Sequence, residues 1–295
     1  MKISTLNIKR FAYGIAICSA IFSSCKKSDN PNNLPEVDPS AYQGKIDGYT
    51  SSDEIYPNNL KAYWSFDDTK NELKSASAPT QTANDAFVTG VKGKAIKLTA
   101  GYLYYAKQFD AFKTDALKSF TVSVWVQILN NGSKRTMLMT LARPNTFDGS
   151  LDFRLNTQAN AATVTDKLGI GPRFSTVGGG SQDNLNATLN PKIGADVWTH
   201  LVLTYDSNSG TFKEWANGVD VGSYNNRGVG NNLFKAYEPG EFIIGGNYNV
   251  IPGKAVNTSV EYAAMTGTVD ELRIYNTVLP DAHIKALYAL GVAGK

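Results

Sequence analysis

The sequence predicts an all-β fold: an antiparallel β-sandwich of jelly-roll type that ends in a short helix. Three observations carry this. Phe120-Thr121-Val122-Ser123-Val124-Trp125-Val126 alternates strictly, the period-2 signature of a strand. Asn217-Gly218 separates two apolar runs, and both residues tolerate the positive φ that a type I′ hairpin demands. Short apolar runs recur between Gly, Asn and Asp clusters with no βαβ rhythm, which excludes a parallel sheet.

In chain order, strands are expected at Leu60 to Phe66, Ala95 to Leu98 and Tyr102 to Ala106, the last two joined by a turn at Gly101. Phe120 to Val126, Met137 to Ala142, Leu151 to Leu155 and Leu168 to Phe174 follow. Trp198 to Tyr205, Phe212 to Ala216, Val219 to Gly222, Glu241 to Ile244 and Thr268 to Tyr275 complete the set, and Ala282 to Leu290 has helical spacing. The polar stretch Thr176 to Lys192 reads as a loop. No self-similar period appears, so a single domain with unequal loops is expected over residues 58–295.

The first 24 residues read as a signal peptide: Lys2, Lys9 and Arg10 precede an apolar stretch from Phe11 to Phe22. Phe22-Ser23-Ser24-Cys25 resembles a bacterial lipobox, although Phe22 stands where an aliphatic residue is usual. The resemblance implies that Cys25 carries the lipid; the alternative is an ordinary signal peptide with incidental cysteines. Cys18 and Cys25 are the only 2 cysteines, so the folded domain has no disulfide. Residues 25–57 are polar and proline-bearing at their start and read as a tether. Membrane association through this lipid anchor alone, at an outer membrane and facing either the surface or the periplasm, is the expectation. A net charge of +3 over 295 residues offers no footprint for nucleic acid.

Several segments in order resemble the bacterial laminin-G-like domains of the concanavalin A-like lectin/glucanase superfamily. They are Tyr63-Trp64-Ser65-Phe66-Asp67, Gly90 to Leu98, Phe120 to Val126, Trp198-Thr199-His200 through Asp206, and Gly267-Thr268-Val269-Asp270-Glu271-Leu272-Arg273 through Leu279. The family holds sugar-binding modules, protein-binding modules and hydrolases, so fold alone selects none of them. The Glu-x-Asp-x-x-Glu run of its glucanases does not occur here, and adjacent Asp270 and Glu271 point to opposite faces of a strand. With 2 histidines and no domain cysteine, zinc sites and Cys-His dyads lack partners. The expectation is therefore a non-catalytic protein.

Alternation puts Asp270 on the face of Leu272 and Ile274, where a carboxylate needs a partner. The resemblance implies a structural Ca²⁺ shared by Asp67 and Asp270; the alternative is that Asp270 accepts hydrogen bonds from loop amides or pairs with an arginine. Sugar recognition needs an aromatic platform beside polar groups. Trp125 and Trp215 fall opposite the aliphatic faces of their strands, and Arg143, Asn145, Asp148, Arg154 and Arg173 cluster around the middle loops. Together these form the expected binding face for a polysaccharide or glycoprotein glycan. Neighbouring outer-membrane uptake or adhesion proteins are the expected partners, and a protein-binding module or a hydrolase with an unfamiliar site are the alternatives.

Overall fold

A computed structural model describes residues 43–182, 185–187, 191–224 and 228–295. The expected signal peptide, Cys25 and the expected tether up to residue 42 lie outside the described residues. Strands are β1 (Leu60–Trp64), β2 (Gln81–Thr89), β3 (Lys94–Tyr105), β4 (Phe120–Ile128), β5 (Arg135–Ala142), β6 (Leu151–Asn156), β7 (Gly169–Ile170) and β8 (Arg173–Ser175). They continue with β9 (Ser181–Gln182), β10 (Leu185–Ala187), β11 (Gly194–Asp206), β12 (Thr211–Ala216), β13 (Val219–Tyr224), β14 (Glu241–Ile244), β15 (Tyr262–Ala263) and β16 (Met265–Tyr275). One helix, α1 (Asp281–Val292), closes the chain.

The strands form a curled sheet in the order β10-β13-β12-β11-β4-β16-β3-β14-β5-β6-β8-β9, with β1 on β16, β2 on β3, β7 on β6 and β15 on β5. Among the described residues only the β15–β5 pairing is parallel. The long strand β3 joins the two halves: Ile96 and Lys97 pair with β16, and Leu103 to Tyr105 pair with β14. The expected turn at Gly101 is instead a bend within this one strand. A Cβ at Gly101 would stand 2.4 Å from the Ala83 carbonyl, and Asn84 and Ala100 both take positive φ, so paired irregularities in β2 and β3 bend the strand without reversing it. The hairpin at Asn217 (φ 51) and Gly218 (φ 75) forms as the sequence dictates.

The inner faces meet in an aromatic core, where Trp64 stacks on Phe242 at 4.6 Å and Phe174 on Phe212 at 4.9 Å between ring centroids. Both outer faces are also covered. Over the β4–β11–β12 half lies α1, packing Ile284, Leu287 and Leu290 on Val202, Trp215 and Tyr275. Over the β3–β14–β5 half lies the segment after β14, packing Tyr248 and Ile251 on Tyr102, Tyr104 and Ile243.

The folded unit starts earlier than Asn58. From Gly44 the chain already belongs to it: Ile55 is buried against the helix layer, a short 3-10 helix spans Ser52–Glu54, and the Ser52 amide donates to the Lys295 carbonyl. An apolar residue and an ion-pairing aspartate are enough to dock this stretch, which its polar neighbours disguised. The Thr176 to Lys192 stretch carries β9 and β10 among its described residues.

Candidate functional site

The turn between β5 and β6 gathers most of the polar residues singled out above. Asn145 takes φ 62, and the Thr146 amide donates to the Arg143 carbonyl, which folds the chain back toward β6. Asp152 is then fully buried and accepts the Gly149 amide on both oxygens, at 3.0 and 3.1 Å. Arg173, from the adjacent strand β8, reaches Asp152 at 3.5 Å and Asp148 at 3.6 Å. Burial pushes the Asp152 carboxyl up to about 7, reinforced by Asp148 and opposed by Arg173 and the Gly149 amide. Arg154 belongs to the scaffold: it is buried, and its Nε donates to the Gly171 carbonyl at 2.6 Å.

Beside this turn lies a hollow of about 400 Å³, lined by Pro144, Asn145, Glu241, Tyr248 and Gly253 to Val256. Tyr104 from β3 and Tyr248 each donate a hydroxyl to Glu241 Oε2 at 2.6 Å. Lys254 lies 3.9 Å from the same oxygen and 4.6 Å from the centre of the Tyr104 ring. Glu241 lines the hollow, and its Oε1 has no hydrogen-bond partner among the described residues. The rim is held by Asn249, whose amide nitrogen donates to Asn257 Oδ1 at 2.7 Å and whose oxygen accepts the Val256 amide at 3.0 Å. Next to the turn, Tyr237 carries Arg143 at 3.9 Å and Lys235 at 4.7 Å from its ring centre.

The structure thus brings Arg143, Asn145, Asp148 and Arg173 onto one face and separates Trp125 and Trp215 from them. Each tryptophan is only 4% exposed. Trp125 packs against His200 at 4.9 Å and Tyr288 of α1 at 5.7 Å, and Trp215 packs in the helix layer. Alternation placed them outward correctly, yet α1 covers that outer face, so neither is a sugar platform. Sequence reasoning missed Tyr104, Glu241, Tyr248 and Lys254. The alternation of Tyr102 and Tyr104 against Leu103 and Tyr105 was the available signal.

Asp67 and Asp270 converge on the turn Gly90 to Lys94, but through hydrogen bonds. Asp270 Oδ2 accepts the Val91 and Lys92 amides at 2.8 and 3.2 Å, and its Oδ1 accepts the Glu271 amide; Asp67 Oδ1 accepts the Lys94 amide at 2.7 Å. A Cβ at Gly90 would come within 2.4 Å of Asp270, and one at Gly93 within 2.0 Å of Asp67, so the glycines permit this approach. Calcium requires six or more oxygen ligands. Here the carboxylates face N–H donors, and among the described residues no three His, Cys, Asp or Glu side chains group to hold a metal. This arrangement does not fit Ca²⁺. Nor does Asp270 share the face of Leu272 and Ile274: a bulge at Glu271 (φ 50) resets the alternation and sets Asp270 opposite Trp125.

Two further buried ionisable groups stand apart from the hollow. His200 Nε2 lies 2.8 Å from Ser123 Oγ, and burial, with Arg273 nearby, pushes the imidazole down to about 3. Glu214 on β12 is fully buried opposite Leu203, and both its oxygens lack partners among the described residues; burial raises it well above its ordinary value.

Residues 102–285 match the model of a laminin G family described as the concanavalin A-like lectin/glucanases superfamily. The chain belongs to this superfamily. Among solved structures, this concanavalin A-like domain is similar to domain 4 of a GH43 extracellular arabinanase from Geobacillus stearothermophilus in complex with arabinotriose. Identity there is 20% and the TM-score 0.52, over 78% of this chain and 98% of that one. It is also similar to the binding domain of Paraclostridial mosquitocidal protein 1 (14% identity, TM-score 0.53, 78% of this chain and 52% of that one). The botulinum neurotoxin serotype D/C binding domain matches at 12% identity and TM-score 0.52, over 79% of this chain and 52% of that one. The chain therefore spans about half the length of those toxin domains. At these identities the likeness is one of fold. Comparison with curated proteins returns no match. Among the described residues no helix is long and apolar enough to cross a membrane.

Proposed function

We propose that the domain is a non-catalytic glycan-binding module, and that the hollow beside the β5–β6 turn is where the sugar sits. The observation that carries this is Glu241, fixed by Tyr104, Tyr248 and Lys254 with one carboxylate oxygen left for a sugar hydroxyl. Asn145 at the rim adds an amide, and a hollow of about 400 Å³ falls within the range of small-ligand sites, about 300–1,000 Å³. The arabinotriose complex of a similarly folded domain supports a carbohydrate ligand. The non-catalytic reading is supported by two carboxyls that are already engaged, Asp152 under Arg173 and the Gly149 amide and Asp270 by turn amides, and by the place of Glu214, which is buried opposite Leu203 and apart from the hollow.

In this reading the lipobox-like Cys25 anchors the module to an outer membrane, and the module presents captured glycan to neighbouring uptake or adhesion proteins. A glycan array run beside a broad polysaccharide hydrolysis assay tests the function. Binding without released sugar is the expected result, and released sugar would overturn the non-catalytic reading. Loss of labelled-palmitate incorporation in Cys25→Ala tests the anchor; undiminished labelling would remove it.

A second reading, a protein-binding module, is favoured by one feature. A groove of about 760 Å³ where β4 ends and β16 begins is lined by Leu98, Ile128, Leu129, Ala263 and Ala264, and Leu129 is 41% exposed. Absence of any glycan on the array would turn attention to this groove.

A further inference from the structure

On the reading that the domain binds glycan, we propose that its ligand is acidic, with a carboxylate or sulfate group read by Arg143 and Lys235. These two cations meet at one ring: the Arg143 guanidinium carbon lies 3.9 Å, and the Lys235 ammonium 4.7 Å, from the centre of Tyr237. Both are built into place. The Lys235 amide donates to the Ser175 carbonyl, the Arg143 guanidinium reaches Ser175 Oγ at 3.5 Å, and the Tyr237 hydroxyl reaches the Thr176 carbonyl at 3.3 Å.

The neighbouring cations have carboxylate partners. Arg173 has Asp148 and Asp152, Lys254 has Glu241, and Lys113 has Asp110. Arg143 and Lys235 have none among the described residues, and Glu238, three positions after Lys235, accepts the Thr114 amide at 2.9 Å. A ring face attracts a cation, but two positive charges drawn to the same ring repel one another. An anion bridging them relieves that repulsion. A guanidinium with one contact leaves further N–H groups free for a bidentate anion, which suits a uronate or a sulfate ester. Arg143 immediately precedes Pro144 and Asn145, which line the hollow, so the turn links this cation pair to the sugar site proposed above.

The test is affinity electrophoresis and calorimetry of the wild type, the Arg143→Gln/Lys235→Gln double variant and the control Lys285→Gln. Probes are polygalacturonate, a sulfated galactan, their carboxyl-reduced and desulfated counterparts, and neutral arabinan; each variant's Tm is checked first. The expected result is preference for an acidic probe over its neutral counterpart, affinity at least tenfold lower in the double variant, and no change in the control. The pair of acidic probes decides between carboxylate and sulfate. If the double variant does not fold, the wild type still decides: its affinity for the acidic probe must fall steeply between low and high salt. Binding of neutral and acidic forms alike, or of acidic forms unaffected by the substitutions, overturns the acidic ligand and leaves the glycan reading standing. No retention by any glycan overturns both.

Discussion

Tyr104 and Tyr248, far apart in the chain, place their hydroxyls at the same distance, 2.6 Å, from one oxygen of Glu241. Burial raises the titration of both phenols, and the carboxylate raises it further, so each stays a donor across the working pH range. Glu241 is thereby held as an oriented acceptor. Glu241→Gln is expected to weaken glycan affinity about tenfold, equivalent to about 1.4 kcal/mol, while the fold is retained. Calorimetry with the strongest array ligand measures this.

Trp125 and Trp215 are expected to matter for stability and not for binding. Trp125→Ala should cost about 3–5 kcal/mol, as deletion of a buried indole does, and it also removes the surface on which Tyr288 and His200 stack. Trp125→Phe should lower Tm modestly and leave glycan affinity unchanged. A selective loss of affinity in the folded Phe variant would return Trp125 to the binding face.

The segment before β1 is expected to be part of the fold. Arg273 is buried, lies 2.7 Å from Asp53 and 2.5 Å from Glu271, and stacks over Tyr63 at 4.4 Å. A chain starting at Gly44 should melt like the full chain. One starting at Asn58 loses Asp53 and Ile55 and should melt below it, because Arg273 then keeps only Glu271 as a carboxylate partner and the helix layer loses a buried apolar side chain. Equal melting of both chains would contradict this.

Stability should fall as pH rises. Burial pushes Asp152 up to about 7 and Asp270 up to about 8, and holds Glu214 well above its ordinary value. Groups raised on folding add stability below their unfolded values, near 4, and that stability is lost as pH climbs through the folded values. Glu214→Gln removes one of the three. Its Tm should decline less between pH 5.5 and 8.5 than the wild type's, ending a few degrees higher, since about 1 kcal/mol moves Tm by about 2–4 °C at this size. Parallel slopes for the two proteins would count against the role of Glu214.

Calcium should leave Tm unchanged, because Asp67 and Asp270 already accept turn amides. Asp270→Asn should lower Tm, by substituting an N–H donor for one oxygen where three amides donate. Added Ca²⁺ that raises Tm of metal-stripped protein would show ligands beyond this arrangement.

Strands with strong alternation, such as Phe120 to Val126 and the Asn217-Gly218 hairpin, were legible because their signals are local. The edge strand β2 was not: Gln81-Thr82-Ala83-Asn84-Asp85 pairs only with β3 and is half-exposed, so it needs no apolar stripe. Of the site, the residues of the β5–β6 turn could be grouped because they lie within a few positions of one another. Tyr104 and Glu241 could not, being 137 positions apart and brought together by the pairing of β14 with β3. The position of α1 over Trp125 is likewise a tertiary fact, which strand periodicity does not encode.

The central claim is that sugar occupies the hollow beside Glu241. Ala255 is exposed on its lining, so Ala255→Trp should fill the space without disturbing the core. Isothermal titration of this variant with the strongest array ligand is the most direct test. Binding at least tenfold weaker than wild type, at unchanged Tm, is predicted; wild-type affinity in the filled variant would contradict the account.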